Sequence, residues 1–506
     1  MKAIPRSLCD DEKHEQSRVT NLAPNLQPFA TDARPPLAES SRRLLPWLIA
    51  VAFFMESLDT TILSTGVPAI AAALHVGPLS MKSVLASYTL SLAVFIPISG
   101  WMADRFGTRR VFASAIAIFT LGSFLCGISN NIHLLVACRV IQGCGGAMMV
   151  PVGRLTMVRT FAKADLIRAM SFVVIPALIG PMLGPIAGGL IVDYFHWRYI
   201  FFVNIPIGLV GLYMSYRHLP DFREAHSNPL DLTGLFLFGS GIALLSYVLE
   251  IFGEHTLGTG AIVGLLVLSM LLLTAYGFHA TSAAYPLLRL TLFRIRTFRA
   301  AVVGGFVTRL GIGGIPFLFP LLYQVGLGFT PIQSGLLMMP QAVSAMSLKL
   351  ATPWILARFG YRAVLVSNTV AIGLMIMVFA AIGKGTPVWQ IVLEMFFFGF
   401  LTSLQYTSMN TLVYAEVNDE QASSASSIAA TMQQMSISFG VASASLVTAM
   451  FLPSRYLFNP IQFIYGIHRA FFVLGGLTLL STLVFCDMKR GDGDTISQGS
   501  RPQPSV

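Results

Sequence analysis

Two carboxylates, Glu56 and Asp59, stand in the middle of an apolar run that begins at Trp47. Along a helix that rises about 1.5 Å per residue, they lie roughly 13 Å and 18 Å from Trp47, near the middle of a hydrocarbon layer about 30 Å thick. An ionised carboxylate at that depth costs several kcal/mol unless it meets water, a cation or a proton. Because the two share one helical face, burial and mutual repulsion favour proton uptake by at least one of them. This is the property of a proton carrier.

Two arginines in other apolar runs extend this set. Arg139 lies in RVIQG, with Gln142 three positions later, and Arg309 lies in GGFVTRLGIGG. We predict that Arg139 tunes proton binding at Asp59 or receives its proton-linked signal. A purely structural hydrogen-bonding role for Arg139 remains an open alternative.

The composition indicates which elements hold these residues. Of the 506 residues, 55% are hydrophobic and 11% are charged, and the mean hydropathy is +0.71. A soluble domain is about 25% charged, and apolar runs of about 20 residues can each cross a membrane as a helix. We therefore predict an all-α polytopic membrane protein. The five cysteines show no metal-ligand spacing, so no metal site is expected.

Fourteen membrane spans are predicted. They run near residues 47–73, 83–103, 111–129, 133–153, 168–191, 199–216, 231–252, 260–279, 300–323, 334–356, 363–383, 388–411, 424–450 and 467–487. An even count places both termini on one side, and most basic residues fall in the loops of that side. The positive-inside rule then makes both termini cytoplasmic. Topology therefore explains the net charge of +10 better than nucleic-acid binding does.

A repeated sequence divides the spans into two halves. ADRFGTRRVF, which begins at Ala103, is partly repeated as ARFGYRAVL, which begins at Ala357, so that Arg105 corresponds to Arg358 at an offset of 253 residues. The offset lays spans two, three and four on spans ten, eleven and twelve, and it leaves spans seven and eight as an inserted pair. This pattern predicts a six-plus-two-plus-six architecture with two six-helix bundles related by a pseudo-two-fold axis.

The first copy of the repeat places an acid among its bases. Asp104 follows the second span, Gly107 lies in the turn, and Arg105 and Arg109 flank that glycine. Charge pairs and helix-terminus interactions can hold one arrangement of the helices, so we predict a conformational latch of these four residues. Membrane topology alone, the alternative, explains the arginines but not the aspartate. Because Ala357 replaces the aspartate in the second copy, the latch would belong to the amino-terminal half.

Glycine and proline recur at short intervals in the fifth span. Gly180, Gly184 and Gly188 form one smooth helical face on which another helix can pack closely, and the prolines can bend the helix. Close packing is the minimal interpretation of this pattern. The full set is Gly180, Pro181, Gly184, Pro185, Gly188 and Gly189.

Together these sequences resemble the major facilitator superfamily. GWMADRFGTRR (100–110) is similar to its loop signature, RVIQGCGGAMMVP (139–151) to its fourth-helix signature, and GPMLGPIAGG (180–189) to the fifth-helix signature of antiporters. LDTTILSTGVP (58–68) resembles the first helix of the fourteen-span drug:proton antiporter branch, and 309–331 resembles a group of bacterial multidrug exporters. The resemblance covers residues 44–487. It implies a major facilitator fold that works by alternating access, with helix five at the interface of the halves.

The repeat offset also places Arg309 at the position of Glu56. In the fold that the resemblance implies, helices one and nine both face the central cavity. We therefore predict that Glu56 and Arg309 form an ion pair in at least one conformation, which leaves Asp59 as the freer, titrating group. A static pair that only fixes packing is the alternative.

These features predict a proton-coupled exporter of small amphipathic or cationic compounds, of the multidrug-efflux type, in which protonation of Asp59 alternates with substrate binding. A dedicated exporter of an endogenous metabolite or siderophore-like compound is the alternative within transport. An intramembrane enzyme or sensor is the alternative outside it. The HExxH and GxSxG motifs are absent, and so is the phosphate-binding loop, so we expect no enzyme activity and no cofactor, with the proton gradient as the energy source.

Abundant Phe and Met with few fixed polar groups would suit such substrates, although core filling and lipid contact explain most of these residues. The cavity candidates are Phe54, Gln324, Gln405, Tyr406 and Asn410. The expected partners are a small-molecule substrate and the lipid bilayer, without nucleic acid. Whether a periplasmic adaptor and an outer-membrane channel are further partners is left open, since the sequence shows neither.

The predicted organisation has five parts. They are a disordered cytoplasmic tail (1–43), an amino-terminal six-helix bundle (44–217), a linker with two extra transmembrane helices (218–299), a carboxy-terminal six-helix bundle (300–488) and a cytoplasmic tail (489–506).

Overall fold

Apolar runs fold into long helices here because a helix satisfies its own backbone hydrogen bonds, as a membrane requires. A computed structural model describes residues 39–161, 163–224, 229–251, 258–349, 351–452, 460–489 and 491–493. The main helices are α1 (Glu39–Ala73), α2 (Pro78–Phe106), α3 (Thr108–Ile128), α4 (Ile132–Thr160), α5 (Lys163–Tyr194), α6 (Tyr199–His218), α7 (Leu232–Ile251), α8 (Thr259–Ser282), α9 (Arg296–Gly326), α10a (Pro331–Leu348), α10b (Thr352–Phe359), α11 (Tyr361–Ala381), α12 (Val388–Leu412), α13 (Asp419–Phe451) and α14 (Pro460–Cys486).

Twelve of these helices are long and apolar enough to cross a membrane, counted over the described residues. The predicted fifth span falls on α5, which has a shorter apolar stretch at Leu178–Tyr194. The predicted tenth span falls on α10a, which has 18 residues. The all-helical, multi-pass architecture is therefore confirmed, whereas the count of fourteen spans stays a prediction. α1 begins at Glu39, inside the predicted tail, and the predictions for 1–38 and 494–506 lie outside the described residues.

The two copies of the repeat have the same backbone geometry. Gly107 lies between α2 and α3 with φ 93° and ψ 143°, and Gly360 lies between α10b and α11 with φ 74° and ψ 158°. Glycine adopts a positive φ without the steric penalty that a Cβ brings. The sequence offset therefore relates two equivalent turns, as expected for duplicated halves.

Hydrogen bonds join the two halves at one end of the bundle. We name the end that holds the Gly107 turn the basic end, and the other the opposite end. Toward the opposite end, Gln324 Nε2 of α9 donates to the Thr65 carbonyl of α1 at 2.9 Å, and the Ile332 N–H of α10a donates to Asp193 Oδ2 of α5 at 2.9 Å. A buried apolar cluster that includes Leu63 and Phe319 spans both halves at this level. The protein is thus closed at the opposite end.

The inserted helices α7 and α8 form a hairpin that Asp231 anchors. Its carboxylate accepts from the Gly234 N–H at 2.7 Å and the Leu287 N–H at 3.1 Å, and its Oδ1 lies 2.7 Å from His279 Nε2. Burial opposes ionisation, but these hydrogen bonds hold the pKa of Asp231 below its usual value of 3.8. The anchor is therefore charged at neutral pH. α7 packs against α2 of one half and α13 of the other.

The segment after α14 is tied back to the protein. Asp492 is buried, and its carboxylate accepts from Arg296 Nη2 at 2.5 Å and Nε at 3.1 Å. Because a bidentate arginine pair of this kind fixes the chain, residues 491–493 of the predicted cytoplasmic tail are held against the protein.

Candidate functional site

Asp59 lies at the centre of a buried polar cluster inside the amino-terminal half. Arg139 Nη1 of α4 donates to Asp59 Oδ2 at 2.6 Å, while Gln142 Nε2 and Asn204 Nδ2 donate to Asp59 Oδ1 at 2.8 Å and 2.9 Å. Asp59 and Arg139 are each 1% exposed. We call Asp59, Arg139, Gln142, Asn204 and Ser123 the Asp59 cluster. It joins four helices, α1, α3, α4 and α6, around one carboxylate.

Most of the remaining polar groups of this cluster are also bonded, whereas Asn204 Oδ1 is buried without a hydrogen-bond partner among the described residues. Ser123 Oγ accepts from Asn204 Nδ2 at 3.0 Å and donates to the Phe201 carbonyl at 2.9 Å. Arg139 donates to Gln142 Oε1 at 2.8 Å, and its guanidinium lies 4.3 Å from the centroid of the Tyr88 ring. These bonds stabilise the buried ion pair, because an unpaired charge in a low dielectric is costly.

Arg139 contacts Asp59 directly, and its role in proton binding stays a prediction. Asn204 and Ser123 were not predicted. Both interrupt apolar spans, Asn204 in FFVNIPIG and Ser123 in TLGSFL. A polar side chain in such a position is the signal that could have found them.

Glu56 differs sharply from Asp59. Its side chain is half-buried, and it has no hydrogen bond and no ion pair within the described part of the chain. Arg154 acts on it electrostatically but forms no close pair with it. The expected division of roles is therefore wrong for this structure, in which Asp59 is locked in a network and Glu56 is the free carboxylate.

Arg309 is buried in the carboxy-terminal half, where it does not pair with Glu56. Its Nη2 donates to Asn410 Oδ1 at 3.2 Å, and its guanidinium lies 4.8 Å from the centroid of the Tyr406 ring. A small cleft holds this group, with Ala301, Val302, Met409, Asn410, Val413, Ala429, Met432 and Gln433 as its other lining residues. The Glu56–Arg309 pair remains a prediction for another conformation.

The other cavity candidates divide into two groups. Tyr406 and Asn410 surround Arg309, as described. Gln405 was wrongly expected in the cavity: it is fully buried between α11 and α12, where it accepts from Asn368 Nδ2 at 2.9 Å and donates to Thr369 Oγ1 at 2.7 Å. Gln324 belongs to the contact between the halves, and Phe54 packs on the apolar cluster that spans them.

Asp104 forms the ion pair expected of a latch, with a different partner. Arg159 Nη2, at the end of α4, lies 2.9 Å from Asp104 Oδ1 and 2.8 Å from Glu224 Oε1. Arg105 is exposed and makes no hydrogen bond or ion pair with any described residue, so its assignment to the latch is wrong here. Arg109 contacts Asp221 instead, through its backbone N–H at 3.1 Å.

Gly107 is pressed against the segment that follows α6. A Cβ at Gly107 would lie 2.3 Å from Asp221 Oδ1, whereas a Cβ at Gly360 would meet nothing within 4 Å. Both glycines have a positive φ, so alanine strains the backbone at both. The difference between them isolates the contact with Asp221.

We expect Gly107→Ala to lower the unfolding temperature in detergent more than Gly360→Ala does. Displacement of Asp221 breaks its bond to the Arg109 N–H, a further loss of about 1–2 kcal/mol. Thermal unfolding followed by intrinsic fluorescence measures both variants. Equal losses would show that docking onto Asp221 contributes nothing to stability.

The glycine face of α5 packs directly on α1. Added Cβ atoms would lie 2.8 Å from Ser57 Oγ at Gly180, 2.1 Å from Thr61 Oγ1 at Gly184 and 2.2 Å from the Ile62 carbonyl oxygen at Gly188. These separations are shorter than any van der Waals contact of a carbon atom. The predicted close packing is therefore present, and α1 is the helix that occupies the face.

The next residues of α5 contact the other half. A Cβ at Gly189 would lie 2.6 Å from the Pro331 carbonyl oxygen, and a Cβ at Gly335 of α10a would lie 2.3 Å from the Pro185 carbonyl oxygen. The predicted motif therefore serves two contacts, one with α1 and one between the halves. Pro181 lies in the same helix, between Gly180 and Gly184.

The described residues include no group of three or more His, Cys, Asp or Glu that could hold a metal ion.

Comparisons with known proteins agree with this geometry. Residues 49–441 match the sequence profile of the Major Facilitator Superfamily. "Putative multidrug resistance protein MdtD" of Serratia proteamaculans is 40% identical over 405 residues, which are 80% of this chain and 85% of the relative. The protein of that name from Pectobacterium carotovorum is 37% identical over 465 residues, 91% and 98% of the two chains.

Solved structures share the fold at low identity. A POT family transporter in complex with a thioalcohol-conjugated peptide has a TM-score of 0.67 at 15% identity, over 88% of this chain and 95% of that one. A bacterial homolog of the human lysosomal transporter Spinster, inward-facing and unoccupied, has a TM-score of 0.64 at 13% identity, over 92% and 100%.

Proposed function

This chain belongs to the Major Facilitator Superfamily and is a membrane transporter, and from that premise we propose that it exports small amphipathic compounds in exchange for protons. Export of this kind requires alternating access, in which two bundles rock about a central site. The duplicated halves and their contact toward one end support that mechanism. The proton gradient then supplies the energy, and no cofactor takes part.

The proposed orientation follows from charge. With fourteen spans and the positive-inside rule, the basic end faces the cytoplasm of a bacterial inner membrane, and both termini lie there. Closure at the opposite end then makes this structure the state closed to the periplasm. A substrate would enter from the cytoplasmic side in this state.

One observation carries the proposal: Glu56 is a midspan carboxylate whose charge no close partner compensates within the described ranges, three positions from the hydrogen-bonded Asp59. In low dielectric such a group is stable as the protonated acid or beside a cation. A proton and a cationic group of the substrate can therefore compete for it. This competition is the coupling that an antiporter needs. We assign the exchangeable proton to Glu56 and a supporting role to the Asp59 cluster.

We expect Glu56→Gln to reduce substrate-induced proton release at least tenfold. Everted membrane vesicles with an imposed proton gradient measure it, with a panel of toxic amphipathic amines and metabolites as probes. Glutamine keeps the size of the side chain and cannot carry the proton. Since Glu56 makes no hydrogen bond or ion pair with a described residue, the amount of folded protein should not change.

Glu416→Gln is the matched control, because Glu416 is an exposed carboxylate outside the spans. It should behave as the wild type does. Proton release that persists in Glu56→Gln at equal protein levels would overturn the assignment. No gradient collapse with any compound of the panel in wild-type vesicles would overturn proton-coupled export itself. The compounds that act also separate a multidrug exporter from one dedicated to a metabolite.

A further inference from the structure

Arg309 carries a charge that no acid in the described residues neutralises. The side chain is 6% exposed, and its contacts are the Asn410 amide oxygen and the face of the Tyr406 ring, both uncharged. A guanidinium stays protonated in proteins and is costly to bury without an anion. Arg139, the buried arginine of the other half, pairs with Asp59. The carboxy-terminal half therefore holds an uncompensated cation where the amino-terminal half holds a neutral pair.

The group is open to a ligand on one side. Asn410, its hydrogen-bond partner, is exposed, and Gln433 lines the same cleft. The remaining lining residues are apolar, among them Val302, Met409 and Met432. This small cleft offers an acidic group one guanidinium and two amides, with apolar side chains beside them.

Glu56 supplies the complementary free charge on α1. The α1–α9 contact lies between Thr65 and Gln324, close to the opposite end. Glu56 is roughly 13 Å from Thr65 along α1, and Arg309 is roughly 22 Å from Gln324 along α9, at about 1.5 Å per residue. Both charges thus lie on the basic side of the contact, one on each half, and they form no ion pair with each other.

We propose that the substrate is an amphipathic zwitterion, an organic acid that also bears an amine, whose acidic group binds Arg309 and Asn410 and whose ammonium group binds Glu56. A zwitterion compensates both free charges. A simple cation leaves Arg309 without a counter-charge, and a simple acid leaves Glu56 without one. This inference rests on the proposed function, since the proton competes with the ammonium group for Glu56. It narrows the expected amphipathic or cationic substrates to those that also carry an acid.

Three compounds with one apolar body test it: 2-amino-4-phenylbutyrate is the zwitterion, 4-phenylbutyrate lacks the amine, and 4-phenyl-2-butylamine has a methyl group in place of the carboxylate. The glycyl peptide of the zwitterion provides a wider separation of the charges. Binding is measured on the purified full chain in nanodiscs, by ligand-induced change in the unfolding temperature and by calorimetry. No proton gradient is present, so a failure here is distinct from a failure of proton coupling.

We expect one of the two zwitterions to bind at least tenfold more tightly than either singly charged compound. Arg309→Gln should lower the affinity for the zwitterion to that for the amine and leave the affinity for the amine unchanged. Glu56→Gln should lower the affinity for the zwitterion to that for the acid. Arg469→Gln is the matched control, because Arg469 also stacks on a tyrosine, 4.9 Å from the centroid of the Tyr465 ring, but is exposed.

Asn410→Asp is a second variant for the case in which Arg309→Gln does not fold. It places an anion beside Arg309 at an exposed position, and it should abolish the preference for an acidic group. Zwitterions that bind no more tightly than the amine, or an acid preference that survives both Arg309→Gln and Asn410→Asp, would overturn the proposal.

Discussion

Arg139→Met is expected to leave little folded protein in the membrane. The substitution removes the cation from the Asp59 cluster and leaves a carboxylate that is 1% exposed without its charged partner. Loss of one member of a buried ion pair costs about 3–5 kcal/mol, which is a large part of the stability of most proteins. The yield of monodisperse protein after detergent extraction, and its unfolding temperature, measure the effect.

The double variant Asp59→Asn with Arg139→Met separates charge from packing. Asparagine still offers an oxygen to Gln142 Nε2 and Asn204 Nδ2, which both donate to Oδ1 in the native protein. We expect the double variant to be more stable than Arg139→Met alone, since it leaves no unpaired charge in the Asp59 cluster. Arg469→Met, at an exposed arginine, should have little effect. A double variant no more stable than the single one would show that the pair matters for shape and not for charge.

Gly188→Ala is expected to be among the most damaging single-methyl additions in this protein. The new Cβ would lie 2.2 Å from the Ile62 carbonyl oxygen, a backbone atom that no rotamer change can move. α5 would have to shift away from α1, and overpacking of this kind costs about 1–3 kcal/mol. A shift would also disturb Gly189, which touches the other half through Pro331. Unfolding temperature and substrate-driven proton release should both fall.

Two comparisons sharpen this prediction. Gly277→Ala, in α8, adds a methyl group where nothing lies within 4 Å, and alanine is the better helix former, so stability should not fall. The methyl group that Gly184→Ala adds would lie 2.1 Å from a side-chain atom, Thr61 Oγ1. A second substitution, Thr61→Ala, should therefore partly restore the stability of this variant. Thr61→Ala should not restore Gly188→Ala. Full tolerance of Gly188→Ala would refute the contact between α5 and α1 described here.

The helices, the duplication and the glycine turns followed from the sequence because they depend on local periodicity. Asp59 and Glu56 differ in a way that local periodicity does not predict. Residues three apart on a helix differ by about 60° in direction. In this protein that difference separates Asp59, which is bonded to Arg139, Gln142 and Asn204, from Glu56, which has no hydrogen bond among the described residues. Only the positions of α3, α4 and α6 decide between the two, and no local pattern contains them.

The partner of Asp104 illustrates the same limit. Arg159 is 55 residues away in sequence and belongs to the far end of α4. The nearby Arg105 and Arg109 were the natural candidates, yet a helix terminus points its side chains in directions that depend on the neighbouring helices. The prediction for Gln405 was wrong for a related reason. An amide in an apolar span indicates a polar contact, but it does not indicate whether that contact is with a cavity or with neighbouring side chains, here Asn368 and Thr369.

The position of α7 determines how a lipid-soluble compound can reach the midspan charges. The two halves meet along two seams, one between α2 and α13 and the other between α5 and α10a, and α7 lies over the first, where Gly239 faces Val94. Acyl chains are thereby kept out of that seam. A substrate dissolved in the bilayer would have to enter laterally through the seam beside α5. The inserted hairpin therefore leaves one lateral entrance instead of two.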